Sequence, residues 1–146
     1  DRLNATLLSE MESSSLPPLV LDLRDDHMLA GFKTIFSAME FCEVITKTMV
    51  RPFQQKITVR ISLHVGPLRI KTEVIRQKVS GDIIDMIERL HKLTLPGSIY
   101  ATGILAAILA LENNKYSFDY IDTLTTQGVA KDLDIFKVRV HHAVVP

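Results

Sequence analysis

The chain has no tryptophan, a single cysteine and no surplus of either charge among its 146 residues. Each shortage excludes something. Cys42 has no second cysteine with which to form an internal disulfide or a zinc pair, which favours a reducing, cytoplasmic setting. Lys+Arg and Asp+Glu both number 17, so there is no basic field of the kind that binds nucleic acid or acidic membranes. The longest apolar run, residues 104–111, is about half of what a bilayer span needs. The N-terminal residues lack the charged-then-apolar profile of a signal peptide. Neither a nucleic-acid partner nor direct membrane insertion is expected. What remains is a chain that is 47% apolar and 23% charged, of a length that buries roughly two thirds of its unfolded surface around one core. We expect residues 1–146 to form a single domain.

Residues 3–12 carry Leu3, Leu7, Leu8 and Met11 at helical spacing, ended by three serines and two prolines. Residues 19–23 are extended and apolar around Asp22. A polar turn, Arg24-Asp25-Asp26-His27, leads into Met28-Leu29-Ala30-Gly31-Phe32, which together predict a β-hairpin. From 35 to 50 an apolar stripe of Ile35, Phe36, Met39, Phe41, Val44, Ile45 and Met49 predicts a helix, with Pro52 just past its end. Residues 56–64 alternate, placing Ile57, Val59, Ile61 and Leu63 on one face and Thr58, Arg60, Ser62 and His64 on the other. Gly66-Pro67 interrupts this strand, and 68–79 reads as a second extended arm. A helix follows from Gly81-Asp82, with Ile83, Met86, Ile87 and Leu90 on one face and Asp85, Glu88 and Arg89 on the other. Then come a loop at 94–97, a short strand at 98–100, an Ala/Leu/Ile-rich helix at 102–111, and two strands, 117–124 and 133–140, joined through Gly128. This order predicts an α+β sandwich with helices on one face of a mostly antiparallel sheet.

Four stretches together carry a resemblance. The run Val59-Arg60-Ile61-Ser62-Leu63-His64-Val65-Gly66-Pro67 resembles the V-R-I-G-[IL]-H-x-G-P strand of the class III adenylate/guanylate cyclase catalytic domain. Gly81-Asp82-Ile83-Ile84-Asp85-Met86-Ile87-Glu88-Arg89-Leu90 is similar to that family's G-D-x-V-N-x-A-x-R-L segment, and Leu95-Pro96-Gly97-Ser98-Ile99 to its x-P-G-x-I loop. Upstream, Asp25-Asp26-His27-Met28-Leu29-Ala30-Gly31-Phe32 resembles the G-D-x-F-M-A-x-F hairpin. The four occur in the family's order and span about 19–140. The resemblance implies a ferredoxin-like, cyclase-homology sandwich.

It also implies a chemistry to be checked position by position. Active members work as dimers, with two carboxylates holding two Mg²⁺ or Mn²⁺ ions that activate the ribose 3′-hydroxyl and stabilise the leaving pyrophosphate. Asp26 matches the second of those carboxylates. The first belongs to an opening strand for which no segment before Leu3 is available, and Asp25 is a poor stand-in because neighbouring strand residues point to opposite faces. An Asn and an Arg one helical turn apart are implied to hold ribose and phosphates. Arg89 matches the Arg, whereas Asp85 stands where the Asn is implied. Being four apart, Asp85 and Arg89 share a helix face and are placed to pair, and Asp85 meets a triphosphate with like charge. Gln127-Gly128 stands where a phosphate-binding Lys is implied, with Lys131 nearby but out of step. The Lys and Asp implied to read adenine fall on Asp22 and Lys78, with the two charges exchanged.

Plainer readings stand beside these. Asp26 also reads as a turn acid, and Asp85 with Arg89 as an ordinary helical ion pair. His27, His64, His141 and His142 do not fall at metal-ligand spacing; His64 reads as a solvated or hydrogen-bonded strand residue, and Cys42 as buried and inert. The leading expectation is a degenerate, non-catalytic cyclase-like domain acting as a dimerisation and regulatory module, without a cofactor. Its partner would be a second copy or another cyclase-like domain, engaged through the 66–79 arm. Two alternatives are a divergent cyclase, or one half of a heterodimer, that needs Mg²⁺ or Mn²⁺, and a sensor that binds a nucleotide or small ligand without turnover.

Overall fold

The computed structural model describes residues 18–24, 27–50, 59–67, 69–72, 77–80, 82–112, 115–125 and 132–141. The helix expected over 3–12, the turn residues Asp25 and Asp26, and the Gln127-Gly128 stretch lie outside them. The chain divides into two compact units, one over Asp1–Ile57 and Leu68–Gly81, the other over Thr58–Pro67 and Asp82–Pro146.

In the first unit the expected hairpin forms. Strands β1 (Val20–Leu23) and β2 (Met28–Gly31) pair antiparallel, with Val20 opposite Gly31 and Asp22 opposite Leu29. Helix α1 runs over Ile35–Val50, as its apolar stripe predicts. It starts where it does because Thr34 caps it: the Ser37 amide donates to Thr34 Oγ1 at 3.1 Å, satisfying one of the orphan donors of the first turn. Its buried side includes Met39, Phe41, Cys42 and Ile45, with the Phe41 ring 5.2 Å from that of Phe32. Burial pushes the Cys42 thiol up to about 12, with the neighbouring Glu43 acting in the same direction, so the sulfur is a protonated, unreactive core atom at neutral pH. The arm is a hairpin of its own, β4 (Arg69–Thr72) antiparallel to β5 (Gln77–Ser80), and β1 lies beside β5.

The second unit is built on a four-stranded sheet in the order β3 (Ile61–Leu63), β6 (Ile99–Thr102), β8 (Leu133–Val140), β7 (Tyr116–Leu124). β3 and β6 are parallel, and the other two pairings are antiparallel. Helix α2 (Asp82–Leu93) connects β3 towards β6, and α3 (Gly103–Leu109) follows β6 directly. Between α2 and β6 the chain reverses in a turn in which the Ser98 amide donates to the Leu95 carbonyl at 3.1 Å and Gly97 has φ 79°. Proline in the second place and a left-handed glycine in the third are what a type II turn requires. The same turn is tied to the strand by the Gly97 amide donating to the Val59 carbonyl and the Ile61 amide to that of Ser98.

Cross-strand partners share a sheet face, so register assigns the faces. Ser62, Tyr100, Ile135 and Lys137 fall on one, and α2 covers it, packing Leu90 with Tyr100 and Ile135 in the core, with Ile87 and Leu124 alongside. Ile61, Ile99, Ala101, Phe136 and Val138 fall on the other, where a Cβ on Gly103, at the start of α3, would lie 3.6 Å from the Phe136 ring.

The face assignment also revises the reading of residues 56–64. Of the described residues 59–64, 61–63 are in the strand, and the polar residues have protein partners, Ser62 at the end of α2 and His64 on Thr102 of β6; 56–58 lie outside the described residues. In β7 the register shifts between Tyr120 and Asp122, leaving Ile121 as the extra residue of a β-bulge. The bulge lets Tyr120 stack edge-on against Phe136, with ring centroids 5.8 Å apart, while Leu124 reaches the Leu90 cluster on the opposite face. Without it the two side chains, four apart on a strand, would point the same way.

Candidate functional site

Helix α2 carries two of the five residues singled out by sequence. Asp85 and Arg89 are both exposed on it, on the side away from the buried Met86 and Leu90. Among the described residues no ion pair joins them; the ion pairs found are Arg24–Asp22 and Arg139–Asp119. An exposed i,i+4 pair gains little for ordering two long side chains, so the spacing permits the contact without enforcing it.

Both ends of α2 are fixed against β3 and the segment after it. At the start, Gly66 lies so close to Ile83 that a Cβ built on the glycine would be 2.7 Å from Ile83 Cγ2. Only a residue without a side chain fits. At the far end, Ser62 Oγ is 2.8 Å from both His91 Nδ1 and Thr94 Oγ1, and the Thr94 hydroxyl donates to the Leu90 carbonyl at 2.9 Å. With the Thr94 proton used on Leu90, the Ser62 hydroxyl donates to Thr94 and accepts the Nδ1–H of His91. This triplet stitches the last turn of α2 to the sheet. Sequence reasoning missed His91 and Thr94. The available signal was Ser62 itself, which stands where the cyclase pattern has a glycine and so brings a hydroxyl to a place where that pattern has no side chain.

His64 lies two residues further along the same strand, with Nδ1 2.8 Å from Thr102 Oγ1, and Thr102 is fully buried. The hydrogen-bonded histidine expected from the sequence is what forms. Burial lowers its pKa from the ordinary 6.5. The unfolded chain thus takes up a proton on this histidine before the folded one does. Stability from neutral His64 is complete above about pH 6.5 and is lost as pH falls through that value towards the folded pKa. Urea midpoints measured at pH 7 and pH 5 should fall more in the parent protein than in His64→Asn, which retains a polar atom near the Nδ1 position without the titration; equal falls would show that His64 contributes nothing.

In the first unit, Asp22 is buried at 5% exposure on the same side of β1 as Val20, and its Oδ2 is 3.4 Å from Arg24 Nη2. Arg24 is a cation the sequence reading passed over, two residues along and therefore on the same side of an extended chain. Lys78 is on β5, opposite Lys71 in the hairpin, and β5 is the neighbour of β1. The strands bearing Asp22 and Lys78 are therefore side by side; the Lys78 side chain is outside the described residues. Asp26 is outside them too, and among the described residues no three His, Cys, Asp or Glu come together to hold a metal ion. The described donors do not by themselves make a divalent-cation site.

No protein-family model matches the sequence, and no curated protein matches it. Solved structures do. The guanylyl cyclase domain of the RhoGC fusion protein from the aquatic fungus Blastocladiella emersonii superposes with a TM-score of 0.73 at 14% identity, covering 95% of this chain and 80% of that one. The adenylyl cyclase CyaB from P. aeruginosa gives 0.70 at 12% identity, covering 99% and 84%. An adenylate/guanylate cyclase/hydrolase from Silicibacter pomeroyi gives 0.65 at 22% identity, covering 85% and 73%. The chain has the fold of the class III nucleotidyl cyclase catalytic domain. Its cyclase-like fold places the G-D-type segment on α2 and the P-G loop in the type II turn, as the resemblance implied. No described helix is long and apolar enough to cross a membrane.

Proposed function

We propose that this single cyclase-like domain is degenerate: it works in the cytoplasm as a dimerisation and regulatory module in signalling and does not cyclise nucleoside triphosphates. The observation that carries the reading is the exposed Asp85 one turn from Arg89 on α2. A carboxylate at the place where an asparagine is implied opposes an incoming triphosphate by roughly 1–4 kcal/mol per charge pair at 4 Å in high-dielectric surroundings. By sequence position the Lys and Asp implied to read adenine fall on Asp22 and Lys78 with their charges exchanged, an order that would invert the donor and acceptor pattern offered to a purine.

For dimerisation the support is the β4–β5 hairpin, whose Ile70 is 47% exposed. An apolar side chain on an extended hairpin is best covered by a partner, and a twofold axis uses one patch twice. Similar cyclase domains have been crystallised as a dimer, from Blastocladiella emersonii, and in the monomeric state, from Trypanosoma brucei. Sedimentation at micromolar concentration should show a dimer that Ile70→Asp dissociates; a strict monomer would remove the dimerisation half of the reading.

The retained Arg89 favours a second reading, a divergent cyclase or heterodimer half in which another chain supplies the metal carboxylates. A sensor that binds nucleotide without turnover is separated from both by thermal shift, because a ligand at a hundred times its Kd stabilises by about 2.7 kcal/mol.

A further inference from the structure

We draw no further inference here: the strongest candidate, the exposed outer face of α3 with Ile104 and Ile108 and the adjoining Leu111, carries nothing because no feature of the structure shows what covers it.

Discussion

Leu90→Ala is expected to destabilise the protein by about 2–5 kcal/mol, the largest effect of any single truncation proposed for α2. Leu90 is completely buried and joins the helix to Tyr100 of β6 and Ile135 of β8, so its removal leaves a cavity bounded by a strand pair that cannot collapse freely. Against a total stability of about 5–15 kcal/mol for a domain, such a loss is readily seen as a shifted denaturant midpoint. Leu111→Ala is the control. Leu111 is 85% exposed, and its truncation should change stability by no more than about 0.5 kcal/mol. If the two variants unfolded at the same denaturant concentration, α2 would not be packed on this sheet, and the outward placement of Asp85 and Arg89 would lose its basis.

Gly66→Ala is the second large effect, about 1–3 kcal/mol of overpacking. The added methyl would sit 2.7 Å from Ile83 Cγ2. Ile83 is β-branched in the first turn of α2, where one side-chain rotamer dominates, so the methyl cannot swing aside cheaply. A double-mutant cycle isolates this contact: in an Ile83→Ala background, which lacks Cγ2, Gly66→Ala should cost a few tenths of a kcal/mol or nothing. An undiminished penalty in that background would assign the glycine to backbone conformation rather than to close approach.

Much of the fold was legible in the sequence because the decisive elements declare their period. The stripe from Ile35 to Met49 and the helix face of Ile83, Met86, Ile87 and Leu90 each have an apolar side that no strand would produce, and both helices form. The β1–β2 hairpin was legible from its polar turn. The split of residues 69–80 into two strands was not, because Arg69 to Ser80 mixes polar and β-branched residues without a regular period. Nor was the bulge at Ile121, which depends on Tyr120 and Leu124 both finding apolar partners on opposite faces, a property of the assembled sheet and not of either residue.

The site was legible in a different way. Motif spacing located Asp85 and Arg89 on α2, yet it suggested a pairing that the exposed helix surface does not enforce. Alternation separated Ser62 and His64 from the apolar side of β3 but could not tell that both are half-buried against protein groups, because hydroxyls and an imidazole can leave water once Thr94, His91 and Thr102 satisfy them. The resemblance set Lys78 with Asp22 and gave no part to Arg24. The burial of Asp22 beside Val20 and its approach to Arg24 depend on the hairpin being formed.

The most direct test of a cyclase scaffold without cyclase chemistry is an assay of the protein for cyclic nucleotide formation from ATP and from GTP with Mn²⁺. The account predicts no product above the protein-free control, and the same result for Arg89→Ala. Cyclic nucleotide formed by the parent protein and abolished by Arg89→Ala would contradict it and make this domain an enzyme.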